Sequence, residues 1–256
     1  DQPRDYMFTR QPNGDFLTLD YFGTGGQLTL THRDSIYGAA NDWAVGASTL
    51  IGYPIGQYQG FARLRILFLE LEAIGGYRTV WRNLSFDPGP HGEYCIACDR
   101  AGRRKADPLL QSGPDTDRYG YGEGLAQIYV PFNDNLVLTT YVAARWEDSR
   151  PRTYDWFFTS VHDGGLIARN ETMLFFHHRD WGGIAPYFQV MFLPRAGHHD
   201  TEAALGFNAV TRLGLVNRDD LLFFTFLIRP GDGSYGQHDY YCPVRALFVY
   251  RLQLTL

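Results

Sequence analysis

Lysine is almost absent from this chain: one lysine, Lys105, stands against 22 arginines in 256 residues. The cations are therefore planar, permanently charged forks suited to carboxylates and other anions, although a GC-rich genome produces the same bias. Long apolar runs are missing too. No stretch reaches 18 apolar residues, which excludes a membrane-spanning helix but not membrane-spanning strands. Cysteine is scarce. Cys95 and Cys98 form a lone CxxC and Cys242 stands apart, so there is no second pair to complete a zinc site. Asp99 follows the motif where haem attachment would need histidine, and in an oxidising compartment Cys95 and Cys98 could form a local loop disulfide. The net charge of −5 argues against a general nucleic-acid binder. Phosphate loops and dinucleotide fingerprints are absent, and GTGG at 23–26 reads as a turn. No cofactor and no metal ion is expected.

What the chain has in quantity is 17 Tyr, 18 Phe and 28 Gly, residues of strands and turns. The helical period fails over most windows, and a period of two fits repeatedly. In ALGFNAVTRLGLV, at 204–216, Leu205, Phe207, Leu213 and Leu215 share one face, while Gly206, Asn208 and Arg212 share the other. Trp43, Val45, Ala47 and Ile51 repeat the pattern against Ala44, Gly46 and Ser48. So do Leu136, Leu138, Val142 and Trp146 against Thr139, Tyr141, Arg145 and Glu147. A soluble sheet buries the apolar face. A membrane barrel turns it to lipid and lines its lumen with the small and polar one.

Candidate strands run over 16–22, 27–33, 43–53, 61–73, 77–86, 124–132, 135–147, 154–161, 166–176, 184–193, 204–216, 221–229 and 244–256. Many reach ten residues, against the five or six common in soluble proteins. The organisation reads as a single domain over 1–256 with a long loop insert at 87–121. The segment 61–73 breaks the alternation: Arg63 and Arg65 share a parity with Leu67 and Leu69, whereas Glu70 and Glu72 fall with Leu64 and Ile66. A bulge after Arg65 would restore it.

Small residues on the non-apolar face favour a crowded lumen over a solvent face. Aromatics at strand ends, Trp43, Tyr53, Trp146, Trp156, Trp181, Tyr240 and Tyr241, suit interfacial girdles. With the last strand alternating through Tyr250, Leu252, Leu254 and Leu256, the chain resembles bacterial outer-membrane β-barrel proteins, with Leu at the final position where that superfamily usually has Phe. The resemblance implies an all-β fold, a single antiparallel transmembrane barrel of about twelve strands in the bacterial outer membrane, with lipid and lipopolysaccharide around it. A soluble β-sandwich or propeller is the alternative.

On the barrel reading, Arg145, Arg212, Arg229, Arg245 and Arg251 point inward, and Arg78, Arg82 and Arg169 are further candidates. The function expected is a porin-like channel for small polar or anionic solutes, acidic oligosaccharides among them, through an Arg-lined lumen. Glu123, Glu147 and Glu171 could instead pair with the arginines and close it. HHRD at 177–180 and HHDTE at 198–202 supply a rim site in which His162, His177 or His198 meets Asp180 or Asp200, the basis of a second reading as a lipid or lipopolysaccharide hydrolase. Ser48, Ser85 and Ser160 are nucleophile candidates by location alone. A third reading is a non-transporting scaffold or receptor that binds a protein partner through 87–121. A fourth is a soluble, secreted sugar-binding β protein.

Overall fold

A strand shows alternate residues to opposite faces, so the period of two becomes a sheet with two unlike surfaces. The computed structural model describes residues 13–22, 25–36, 41–52, 55–81, 84–86, 110–112, 116–133, 135–148, 153–155, 160–162, 164–178, 182–195, 198–212, 221–230, 240–241 and 244–256. Every regular element among them is a strand. In chain order these are β1 (Gly14–Phe22), β2 (Gly25–Ser35), β3 (Asn41–Gly52), β4 (Ile55–Ile66), β5 (Leu69–Trp81), β6 (Leu84–Phe86), β7 (Leu110–Ser112), β8 (Thr116–Asn133) and β9 (Leu136–Glu147). There follow β10 (Thr153–Asp155), β11 (Ser160–His162), β12 (Gly165–His178), β13 (Gly182–Arg195), β14 (His198–Arg212), β15 (Leu221–Pro230), β16 (Tyr240–Tyr241) and β17 (Val244–Thr255).

Each long strand pairs antiparallel with the next, and the order returns to its start: β15 pairs with both β14 and β17, and β17 pairs with β1. Twelve strands thus close into an antiparallel barrel with no free edge, which is what a sheet without water at its margins requires. The short strands β6, β7, β10 and β11 form a separate four-stranded sheet in the order β11-β10-β6-β7.

Because strands alternate in direction, the connections sort onto two rims. The start of β1, the end of β17 and the connections at 67–68 and 134–135 lie on one, the terminal rim. The long connections 82–115, 148–164 and 231–243 all leave the other, the loop rim. Short periplasmic turns opposite longer outer loops are the habit of transmembrane barrels.

Four strand assignments change, one of them 77–86, which divides into the end of β5 at Trp81 and the separate β6. The segment 61–73 is not one bulged strand but the end of β4, a turn at Leu67–Phe68 and the start of β5. Leu67 takes φ 53°, a left-handed conformation that lets a two-residue connection reverse the chain without glycine. The reversal resets the parity and places Arg65 opposite Glu70 and Arg63 opposite Glu72. Of residues 154–161, those the structure describes belong to the short β10 and β11 and not to the barrel. Finally, β8 begins at Thr116, so the last part of the insert read as 87–121 is barrel strand.

The two faces are inverted relative to a water-soluble protein. Large apolar side chains face outward and are exposed: Leu28, Leu30, Val45, Ile51, Leu71, Ile128, Val142, Leu166, Ile184 and Leu205, the last at 62%. The inward face buries Asp20, Arg33, Asp42, Arg78, Thr139, Arg145, Glu147 and Gln189, with Glu147 at 0%. Tyr21, Tyr77 and Trp146 are exposed near the loop rim, and Phe132 and Phe176 near the terminal rim.

Glycine makes room for inward aromatics. A Cβ on Gly46 would meet Phe61 Cζ at 2.6 Å, one on Gly76 would meet Tyr121 Cζ at 2.9 Å, and one on Gly183 would meet Phe175 Cζ at 2.5 Å. Each ring lies back against the wall over a glycine on the neighbouring strand. On the outer face, a Cβ on Gly75 or Gly124 would meet nothing within 4 Å.

Candidate functional site: the charged interior

Period two puts every second residue of β2, β3, β4, β5, β8, β9 and β12 inside, and pairing register sets these residues side by side. One row reads Asp42, Arg65, Glu70, Gln127, Tyr141, Glu171 and Gln189 from β3 round to β13, each directly opposite the next. Opposite charges facing each other across strands attract, and like charges repel. Asp42, Arg65 and Glu70 alternate in sign, and the neutral Gln127, Tyr141 and Gln189 keep Glu171 from facing another carboxylate.

Near the terminal rim, Arg33 Nη2 donates to Asp42 Oδ2 at 2.7 Å and Arg65 Nε donates to the same oxygen at 2.9 Å. The pair of guanidiniums is matched in charge by Asp42 and by Glu70 across from Arg65. Towards the loop rim lies a second group. Arg145 Nε donates to Glu147 Oε1 at 2.7 Å, and its Nη1 donates to Glu123 Oε2 at 3.3 Å. Arg169 Nη2 donates to Glu123 Oε1 at 3.3 Å, and its Nε lies 3.4 Å from Glu171 Oε1. Tyr141 bridges them: its hydroxyl donates to Glu123 Oε1 at 3.3 Å and accepts from Arg169. Gln189 Nε2 extends the network to Glu171 Oε1 and to the Tyr187 hydroxyl, both at 3.1 Å.

Aromatic faces cap the cations. Arg145 Cζ sits 3.8 Å from the Tyr121 ring centroid, and Arg78 Cζ sits 5.4 Å from the same ring. Arg78 also donates to Gln57 Oε1 at 2.9 Å and to the Tyr119 hydroxyl at 3.2 Å. Tyr121 in turn donates to Gln59 Oε1 at 2.7 Å. Burying a guanidinium is costly unless carboxylates and hydrogen-bond acceptors replace its water. Here carboxylates, phenols and side-chain amides supply them. The wall offers both donors and acceptors, the chemistry that hydrates or binds polar solutes.

Of the five arginines expected in the lumen, Arg145 is inside and bound by Glu123 and Glu147. Arg78 and Arg169 are inside as well, while Arg82 lies outside the described residues. Arg212 stands in register with Leu221, Arg229 with Tyr241, Arg245 with Thr225 and Arg251 with Asp20; their side chains lie outside the described ones. Arg33, Arg63, Arg65, Asp42, Glu70 and Glu72 join the interior without having been expected there. For Arg63, Arg65, Glu70 and Glu72 the signal was the parity break in 61–73, which marked a turn.

The histidine clusters do not converge. His177 is the last residue but one of β12, at the terminal rim, whereas His198 begins β14 at the loop rim, the side on which His162 ends β11. His177 pairs with Gly183 and His198 with Arg195, so nearly all of β13 separates them, roughly 40 Å at about 3.3 Å per residue. Asp200 shares the His198 end, and Asp180 lies outside the described residues. Ser48 is on the inner wall between Thr29 and Gln59, neither of which is a base. Among the described residues, no group of three or more His, Cys, Asp or Glu is placed to hold a metal. Cys95, Cys98 and Cys242 lie outside them.

No family model matches the chain, and no curated protein matches it. Among solved structures it is similar to the NanC porin, with 9% identity and a TM-score of 0.38 over 94% of this chain and 98% of that one. It is also similar to the translocator domain of the autotransporter NalP from Neisseria meningitidis, with 13% identity and a TM-score of 0.35 over 97% of this chain and 90% of that one. The barrel stands on its own evidence: a closed ring of twelve antiparallel strands with a large exposed apolar belt outside and the buried charges inside, where they share the interior with Phe16, Ile167, Phe175, Met191 and Leu193.

Proposed function

We propose that the chain is a bacterial outer-membrane channel that passes small polar solutes, anions among them, between the loop rim and the terminal rim. The observation that carries this reading is the inversion of the two faces. An outward belt of Leu, Ile, Val and Phe on strands of up to 18 residues suits a hydrocarbon core, which a tilted strand of about 9–11 residues crosses. The inward wall carries Arg, Glu, Gln, Tyr and Thr, which suit water and polar solutes, beside an apolar stretch at Ile167, Met191 and Leu193. Glycines under Phe61, Tyr121 and Phe175 hold aromatic bulk against the wall and away from the axis.

The test is conductance of detergent-folded protein in a planar bilayer. The protein should need detergent, migrate differently on a gel before and after boiling, and give steady unitary currents. A gel-shifting protein that stays silent in the bilayer would end the channel reading and leave a barrel closed by its own ion pairs.

A further inference from the structure

We infer that the crest of the β4–β5 hairpin is a lipid-contact site, where Phe68, with Ile66 beside it, meets the acyl chains of the membrane leaflet on the terminal-rim side and not water. The inference applies to an open and to a closed barrel alike. The crest reads Ile66-Leu67-Phe68-Leu69 and carries no polar side chain. Ile66, Leu67 and Phe68 are all exposed. They continue the outer belt, for Leu71 on β5 and Ile128, Val130 and Phe132 on the neighbouring β8 are exposed as well. Apolar surface of this kind is stabilised by leaving water. The next connection on the same rim differs, since it reads Asn133-Asp134-Asn135.

Strand length places the crest at the edge of the hydrocarbon. Tyr58 of β4 and Tyr77 of β5 stand opposite each other, exposed on the outer face towards the loop rim, where an interfacial girdle lies. Leu67 follows Tyr58 by nine residues, and Phe68 precedes Tyr77 by nine. A tilted strand crosses the hydrocarbon in about 9–11 residues, so its far edge falls at this turn and Leu67, at the tip, marks the boundary with the headgroups. The backbone of the turn is also equipped for lipid. The Leu67 N–H donates to Asn41 Oδ1 at 3.0 Å, and the Phe68 carbonyl oxygen accepts from the Tyr129 N–H at 2.9 Å. Backbone groups in an apolar phase need such internal partners, because no water is there to replace them. Beyond Tyr129 the strand β8 runs on to Asn133, so the polar residues of its hairpin reach past the crest towards water.

The experiment compares folding equilibria of the full chain in vesicles of short-chain dilauroyl- and longer-chain dioleoylphosphatidylcholine, read by the gel shift across a urea series. A thinner bilayer leaves the crest outside the hydrocarbon, whereas the middle of the belt stays within it. Phe68→Asp should lower the folding equilibrium constant about tenfold or more in the longer-chain vesicles and lose most of that effect in the short-chain ones. Val142→Asp, in the middle of the outer face of β9, should be penalised in both. Asn135→Asp, on the polar hairpin, should be penalised in neither. A Phe68→Asp protein that folds as well as wild type in both bilayers would overturn the inference, because the crest would then lie in water. An equal penalty in both would overturn it too, since Phe68 would then act through contacts within the protein. A penalty that varies with protein concentration would replace lipid with a second copy of the chain. If Phe68→Asp does not fold, Phe68→Ser is read against the same two bilayers.

Discussion

Arg145 and Glu147 stand two residues apart on one strand, share the inner face of β9, and meet at 2.7 Å with side chains 4% and 0% exposed. The spacing is the strand period itself, so the ion pair is written locally and needs no turn to form it. Glu123 adds a second carboxylate from β8, directly across from Arg145. Arg145→Ala takes this cation from the buried Glu147 and leaves Glu123 with Arg169. It should lower folding stability by about 3–5 kcal/mol, read as a shift of the urea midpoint in lipid vesicles. Arg145→Ala combined with Glu147→Gln should recover part of that loss. Additive losses would mean that the two side chains do not act as a pair.

The outer belt makes the opposite demand. Leu205→Arg places a cation on a 62% exposed site that looks harmless by accessibility alone. In a bilayer it should cost about 2–4 kcal/mol if the site lies near the midplane, while in a water-soluble sheet it would be tolerated. Efficiency of folding into vesicles separates the two. Unchanged folding would argue that this face does not meet lipid.

Gly76 and Gly75 are neighbours in sequence and opposites in consequence. A Cβ at Gly76 would come within 2.5 Å of the Tyr58 carbonyl oxygen and 2.9 Å of Tyr121. Gly76→Val should push Tyr121 off the wall, destabilise by about 1–3 kcal/mol and narrow the unitary conductance. Gly75→Ala points into open space on the outer face and should leave both quantities within error.

The turn at Leu67 stores strain. A non-glycine residue in the left-handed region carries a cost of roughly 1–2 kcal/mol. Leu67→Gly should relieve about 1 kcal/mol of it, seen as a higher urea midpoint. A loss of stability instead would show that the leucine side chain contributes more by contact than its backbone gives up.

Much of this architecture was legible in the alternation. The inward and outward sets of 43–51 and 136–147 follow from counting by two, because a strand offers no other arrangement. The hairpin at Leu67–Phe68 was not legible, because RLRILFLEL contains none of the Gly, Asn, Asp or Pro that usually marks a reversal. The pairing of Arg33 with Asp42 was hidden for another reason: it crosses between β2 and β3, and needs the register, which sequence parity alone does not supply. The histidines failed to converge on similar grounds. His177 and His198 are close in sequence and both sit at strand ends, but they sit at opposite ends of β13's two neighbours.

The closure of the ring through β17 and β1 governs how the molecule can be made. Phe16 pairs with Thr255, a contact that joins the two extremes of the described chain. Such a long-range contact costs loop entropy that local hairpins do not, and it forms slowly. Until it forms, β1 and β17 each expose an open edge, with apolar side chains already facing outward on the growing sheet. The half-made protein is therefore stickier than either the unfolded chain or the finished barrel. Its success depends on reaching a membrane before it meets another copy of itself.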